Sequence, residues 1–369
     1  MASEKIDKYF RPDLAAFGGY SAATSPETLA GKTEVSPENI IKLDANENPY
    51  GCSPRVNQAL SKFNHFNIYT DNDQSRLRQQ LASLTGVAAR HIVAGGGSNQ
   101  LIDLLLRLFI APGDEVINCV PTFGIYSFST ELCAGKLVSV PRDANFDVDV
   151  PAVKSAVTAK TKMICLANPN NPTGNLISRQ DIMELLDTGI PLMLDEAYYE
   201  FSGETMAPLV GKYDNLIILR TFSKWAGLAG LRVGYGLFPA RVASYLHTIK
   251  MPYNVNVAAL VAVEESLKDI DYLMATVKKI IAERTRLFTE LIKIDWLKTY
   301  PSKANFILCE LLEGDAKNLK QKLQDKGILV RYFDQLRLKN FIRISVGKPE
   351  HTDALIKTLK EISNTTELK

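Results

Sequence analysis

From residue 91 onward, short and unbroken apolar runs alternate with stretches that are apolar on one face only. The runs cover residues 91–94, 115–120, 137–140, 163–166, 192–194, 216–219 and 233–237. Such length and continuity suit strands buried on both faces, as in a parallel sheet. Between them Leu101, Leu104, Leu105 and Leu108 fall at i, i+3, i+4 and i+7, and Ile182, Leu185 and Leu186 at i, i+3 and i+4, the spacing of a helix with one apolar stripe. Strand and helix in alternation predict an α/β fold with a doubly wound, mainly parallel sheet in a large domain. After Pro239 the pattern stays helical for about 55 residues. A strand over 305–310, a helix over 315–326, strands over 328–332 and 341–346 and a last helix after Pro349 then predict a smaller α+β domain. The first 50 residues, rich in Pro, Ser, Thr and Gly and with little periodicity, predict an arm rather than a core element. The division is therefore 1–69 for the arm and part of the small domain, 70–255 for the large domain and 256–369 for the rest of the small one.

Composition narrows the class. Of 369 residues, 46% are hydrophobic and 23% charged, which excludes a disordered or fibrous chain. A net charge of +2 gives no field strong enough to imply nucleic acid or an anionic membrane as partner. Apolar runs such as Leu216-Ile217-Ile218-Leu219 stop far short of the roughly 20 residues of a membrane span. The opening MASEKIDKYFRPDL lacks the apolar core of a signal peptide, so a cytoplasmic protein is expected. The five cysteines (Cys52, Cys119, Cys133, Cys165, Cys309) are scattered and never spaced as CxxC, which fits reduced thiols. The four histidines are equally scattered, and no metal site is expected.

Candidate chemistry lies at the ends of the apolar runs. TFSKWAGLAGLRVGYG (221–236) puts Lys224 just past a buried strand, beside small hydroxyl residues and Gly. A charged amine there needs a partner or a covalent fate, and a desolvated lysine suits a Schiff base with an aldehyde. Thr221, Ser223 and Arg232 would surround it with donors suited to a phosphate. The alternative is a strand-end turn with a solvated lysine. PLMLDEAYYEF (191–201) places Asp195 and Tyr198 at another strand end, where ligands of doubly wound sheets bind, although Asp195-Glu196 equally fits a solvated end or a helix cap. CLANPNNPTGN (165–175) is a turn after a third strand, and it carries Asn171. HIVAGGGSNQLIDLLLRLF runs from strand through three glycines into an amphipathic helix, whose first N–H groups make an anion cradle.

With these pieces at successive strand ends, the sequence resembles the pyridoxal-phosphate (PLP) aminotransferases of the aspartate aminotransferase-like fold, and within them the histidinol-phosphate aminotransferases. The resemblance runs from RPDLAAFGGY to the final helix and is most specific in KLDANENPYG (42–51), NPNNPTG (168–174), DEAYYEF, TFSKWAGLAGLR and FIRISVG (341–347). It implies that Lys224 is the Schiff-base lysine, Asp195 the partner of the pyridine nitrogen, and Tyr198 and Asn171 the partners of the phenolic O3′. Phe123 resembles the residue that stacks on the ring. Ser98, Asn99, Thr221, Ser223 and Arg232 resemble the phosphate cup, and Tyr69 a phosphate ligand lent by a neighbouring subunit of a homodimer. Arg343 and Arg331 resemble the substrate-anion residues, and Tyr20, Asn46, Tyr253 and Asn305 the residues lining the substrate pocket. Without the resemblance both arginines read as solvated strand residues and the tyrosines as core aromatics.

The implied reaction is transamination between L-histidinol phosphate and 2-oxoglutarate, giving imidazole acetol phosphate and glutamate, in histidine biosynthesis. An anionic Asp195 keeps the ring nitrogen protonated, which makes the ring an electron sink. Lys224 then moves a proton between Cα and C4′ as base and as acid. One site must accept both a phosphate monoester and a carboxylate, and an arginine fork matches both. An aromatic amino-acid aminotransferase or a phosphothreonine decarboxylase on the same scaffold are the neighbouring readings. A cofactor-sensing regulator would need a DNA-binding module, and the segment before KLDANENPYG is too short and non-helical for one.

Three features depart from the family pattern. Gly97-Ser98-Asn99-Gln100 stands where Gly-(Ala/Ser)-Asp-Glu is common, so two carboxylates become amides. The loop from Ser21 to Glu38 is longer than usual. Trp225 follows the lysine where a small residue is usual, which predicts an altered pocket wall.

Overall fold

A computed structural model describes residues 4–15, 17–20, 36–335 and 337–364. Most of the long loop over 21–38 therefore lies outside the described residues. The strands are β1 (Ile41–Leu43), β2 (Ile92–Gly95), β3 (Glu115–Val120), β4 (Lys136–Pro141), β5 (Thr161–Ala167), β6 (Leu192–Asp195), β7 (Leu216–Thr221), β8 (Gly234–Leu237), β9 (Leu297–Thr299), β10 (Phe306–Leu311), β11 (Ile328–Tyr332) and β12 (Phe341–Ser345). They form a seven-stranded sheet in the order β2-β8-β7-β6-β5-β3-β4 and a five-stranded sheet in the order β1-β11-β12-β10-β9.

The large sheet is mainly parallel, as the unbroken apolar runs predict, and helices cover both faces. Leu192 and Leu194 of β6 enter one apolar cluster while Met193 between them enters the other, so both faces of the strand are dry. Two runs depart from that reading. β8 lies antiparallel to both β7 and β2. Residues 222–233 carry only a single 3₁₀ turn, Ala229–Leu231, and such a link lacks the crossover helix that usually joins parallel strands. β4 closes one edge, and most of its residues keep contact with solvent. The register aligns Ala167 of β5 with Asp195 of β6 and Asp195 with Leu219 of β7, so β5 and β6 end level and β7 runs two residues further.

The smaller sheet contains a strand that the arm reading missed. β1 pairs in parallel with β11, and Leu43 is buried against the core. Its three residues are too few to show a period in sequence. β9 escaped for the same reason. The helical stretch after Pro239 is three helices, Ala240–Ile249, Val257–Lys268 and Ile270–Leu291. Asn256 starts the second by accepting from the Ala259 N–H at 2.8 Å. β11 and β12 are antiparallel neighbours with Arg331 directly opposite Arg343. No helix among the described residues is long and apolar enough to cross a membrane.

Candidate functional site

A cavity of about 340 Å³ opens where the ends of β5, β6 and β7 face β11, β12 and the residues just after β1. Lys224, Asp195, Tyr198, Asn171, Phe123 and Arg232 line it, as do Ser98, Asn99, Thr221 and Ser223. Arg331, Arg343, Tyr20 and Asn46 complete the set of sequence candidates that meet there.

Asp195 ends β6 with its carboxylate turned into the cavity floor. Tyr126 donates its hydroxyl to Oδ2 at 2.8 Å, and the Ala197 N–H donates to Oδ1 at 3.0 Å. Burial pushes this carboxyl up to about 6, while the two donated bonds pull the other way. Lys224 borders the cavity, and its amine donates to the Ala45 carbonyl at 2.9 Å. Burial, reinforced by the Arg343 cation, brings the amine down to about 7. A neutral amine is the nucleophilic form, so the site holds a lysine ready for a carbonyl near neutral pH. Asn46 donates to the Tyr198 hydroxyl at 2.9 Å, and burial pushes that phenol up to about 12.

An anion cradle forms at one end. The helix Ser98–Phe109 starts at the cavity, with Gly97 at φ +80° before it. A Cβ on Gly97 would meet the Arg232 guanidinium at 2.6 Å, and one on Gly234 would meet the Ser98 backbone nitrogen at 2.6 Å. Only glycine allows the turn, the arginine and the helix N-terminus to come so close. Thr221 and Ser223 add hydroxyls, with the Thr221 hydroxyl donating to Ser223 Oγ at 2.9 Å. Hydroxyls, a guanidinium and free helix N–H groups together suit a phosphate.

Two further guanidiniums, Arg343 and Arg331, line the same cavity. Arg343 donates to Asn171 Oδ1 and to the Asp44 carbonyl, each at 2.6 Å, and its Nε is buried without a partner. Burial draws it down to about 10, still a cation at neutral pH. Its guanidinium carbon stands 5.2 Å from the Phe306 ring centre, and that of Arg331 stands 5.8 Å from Phe333.

Three candidates stand elsewhere in the single chain. Asn305 is buried beneath the site, where it donates to the Asn46 carbonyl at 2.9 Å and so holds the loop after β1. Tyr69 and Tyr253 stack on each other at 4.4 Å on the surface. The expected effect of Trp225 on the pocket wall is not seen. Its ring packs 5.5 Å from Phe222 in the core, away from the cavity lining, while its carbonyl accepts from Asn48 at 2.8 Å. The amides at the helix start have separate roles. Asn99 borders the cavity, whereas Gln100 Oε1 accepts from the Gly96 N–H at 2.7 Å and from Asn254 at 2.9 Å, tying down the glycine turn. Sequence reasoning missed Tyr126, which follows Phe123 by three residues in PTFGIYS and lies in the first turn of the helix Ile125–Leu132.

Known proteins extend the picture. The family model for aminotransferase class I and II matches residues 38–359. A histidinol-phosphate aminotransferase of Dehalococcoides mccartyi is 58% identical over 357 residues, covering 97% of this chain and 98% of that protein. The chloroplastic histidinol-phosphate aminotransferase 1 of Arabidopsis thaliana is 44% identical over 358 residues, covering 96% and 86%. Among solved structures, a histidinol-phosphate aminotransferase from Sinorhizobium meliloti in complex with pyridoxal-5′-phosphate superposes with a TM-score of 0.87 at 27% identity, covering 96% of this chain and 97% of that one.

Proposed function

The chain belongs to the class I and II aminotransferases, and from that premise we propose that it transfers the amino group of L-histidinol phosphate to 2-oxoglutarate with pyridoxal 5′-phosphate as cofactor, giving imidazole acetol phosphate and glutamate in histidine biosynthesis. The observation that carries the reading is one cavity holding a neutral-prone lysine, a buried carboxylate and two separate anion sites. Near-full-length relatives with that activity support the choice of amine.

The residues fit the cofactor. The cradle of Ser98, Asn99, Thr221, Ser223 and Arg232 would take its phosphate, Asp195 its ring nitrogen and Phe123 a ring face. Bound there, the cofactor supplies the carbonyl that takes up the amine and the electron sink for a carbanion at the substrate Cα. Asp195 holds a negative charge where it favours a protonated ring nitrogen, and that cation in turn draws its carboxyl below about 6. Asn171 uses Oδ1 for Arg343, which leaves its amide hydrogens to donate to a ring oxygen. Tyr198 accepts from Asn46 and keeps its own proton to donate. Lys224 carries the proton to and from the substrate carbon. Arg343 and Arg331 receive the phosphate of one substrate and the carboxylate of the other.

The homodimer also belongs to this proposal. Tyr69 is 80% exposed, Met251 70%, and Phe66 and Ile68 59% each, and Tyr69 stacks on the exposed Tyr253. A second copy covering that face would carry Tyr69 and Tyr253 toward its neighbour's cavity. The five free cysteines suit a reducing cytoplasm.

Borohydride reduction of the loaded protein followed by peptide mapping should leave a pyridoxyl group on Lys224. A label on any other lysine would overturn the site as assigned.

A further inference from the structure

Directly behind Asp195, on the other side of the strand ends, lies a buried charge cluster to which the reaction assigns no part. Glu196 is fully buried and Arg220 is 2% exposed. The Arg220 guanidinium donates to Glu196 Oε2 through Nε at 3.1 Å and Nη2 at 2.9 Å. Thr205 donates to the same oxygen at 2.7 Å, and the Met206 N–H to Oε1 at 2.8 Å. The Tyr199 ring covers the guanidinium at 3.5 Å. The pair also spans the two strands that carry the chemistry. Glu196 follows Asp195 and its N–H donates to the Leu219 carbonyl at 2.8 Å, while Arg220 precedes Thr221 of the phosphate cradle.

We propose that Arg220 is a positioning residue for Asp195: by neutralising the Glu196 carboxylate beside it, Arg220 leaves Asp195 as the single uncompensated anion under the cofactor ring. The inference rests on the reading of Asp195 as the ring-nitrogen partner. Two buried carboxylates on consecutive residues repel, and the first would then hold its proton and lose its charge. In the intact pair one cation answers one anion. The third acid of the cluster, Glu200, is pushed well above the usual carboxylate range by burial, against the pull of the Arg220 cation. The nearby phenols Tyr199 and Tyr235 are raised by burial and uncharged at neutral pH. The other groups around Asp195 are Tyr126, Tyr198 and Cys165, all raised by burial and neutral, and Lys224, lowered to about 7. Glu196 is thus the near anion whose charge needs cancelling.

The test is the pH dependence of the affinity for pyridoxamine phosphate, which forms no Schiff base with Lys224, read by the absorbance of the bound cofactor, with wild type and variants side by side. Arg220→Met leaves Glu196 unopposed and should move the acid limb up by about one to two pH units. Glu196→Gln, made alone and with Glu200→Gln so that the neighbouring acid cannot take over the charge, leaves the cation unopposed and should move the limb down. Arg220→Met with Glu196→Gln is neutral again and should return the limb to the wild-type position. A purely structural pair predicts same-signed losses with the double variant no better than either single, and that result would overturn the inference. Should Arg220→Met fail to fold, the downward shift of Glu196→Gln decides alone. An unshifted limb with Lys224 labelled in wild type refutes the role of Arg220 only. A wild type that binds no cofactor at Lys224 refutes the reading of the site itself.

Discussion

Burial raises the Asp195 carboxyl in the cofactor-free chain. Its ordinary value is 3.8 and its folded value about 6, so the cofactor-free folded chain binds the extra proton between those values. Stability therefore falls as pH rises from about 3.8 to about 6, and above that range the penalty is complete at about 3 kcal/mol. Asp195→Asn removes the charge. The cofactor-free variant should be more stable than wild type at pH 8 by up to that amount and no more stable near pH 4, as urea unfolding at both values would show. With Asp195 as the proposed partner of the ring nitrogen, the loaded variant should lose most of its turnover. Lys224 gives the opposite sign. Its amine is depressed to about 7, so labelling of the cofactor-free protein by the carbonyl and borohydride should rise with a midpoint near pH 7. A midpoint near 10 would mean a solvated lysine. The identities of both residues were legible at strand ends. The hydroxyl of Tyr126 and the carbonyl of Ala45 that meet them were not, because those contacts join segments 69 and 179 positions apart.

At the scale of elements, the readable parts were those with enough residues to show a period. β5, β6 and β7 and the helix Ser98–Phe109 follow the apolar pattern, and β11 and β12 pair side by side as the sequence suggested. β8, Gly-Tyr-Gly-Leu, reads as a short apolar run like the parallel strands β5, β6 and β7, and only the helix-free link before it betrays its reversed direction. The charge cluster of Glu196 and Arg220 was invisible for a related reason. An acid and a base on different strands meet only through sheet register. Gly97→Ala forces a side chain at φ +80° against Arg232 and should weaken cofactor affinity by about tenfold or more while the fold persists, which a cofactor titration beside a thermal melt can separate. Arg331→Ala removes one of two guanidiniums that face each other across β11 and β12. It should lower kcat/KM for histidinol phosphate much more than for glutamate, by about 1.5–3 kcal/mol of transition-state binding. Equal losses would give Arg331 a structural role.

The whole molecule places the candidate cavity between two sheets and leaves Phe66, Ile68, Tyr69, Met251 and Tyr253 exposed. Arg343 bridges the sheets, since it belongs to β12 and donates to Asn171 in the loop after β5. Tyr69 and Tyr253 sit on the exposed face, so the single chain leaves two of the sequence candidates without a place in its own site. In a two-fold dimer each subunit would give and receive the same residues. Mixing inactive Tyr69 and Lys224 variants should then restore activity in heterodimers, and no recovery after verified subunit exchange would keep Tyr69 out of the neighbouring site. The central claim concerns the amine. Steady-state kcat/KM should be measured for histidinol phosphate, phenylalanine, tyrosine and phosphothreonine, each with 2-oxoglutarate as acceptor. With the cradle given to the cofactor phosphate, the paired guanidiniums of Arg331 and Arg343 predict that histidinol phosphate is preferred over both aromatic amino acids, and the proposed function predicts that it is preferred over phosphothreonine, with glutamate formed in step with the carbonyl product. A preference for phenylalanine or tyrosine, or release of carbon dioxide from phosphothreonine at the higher rate, would contradict the account.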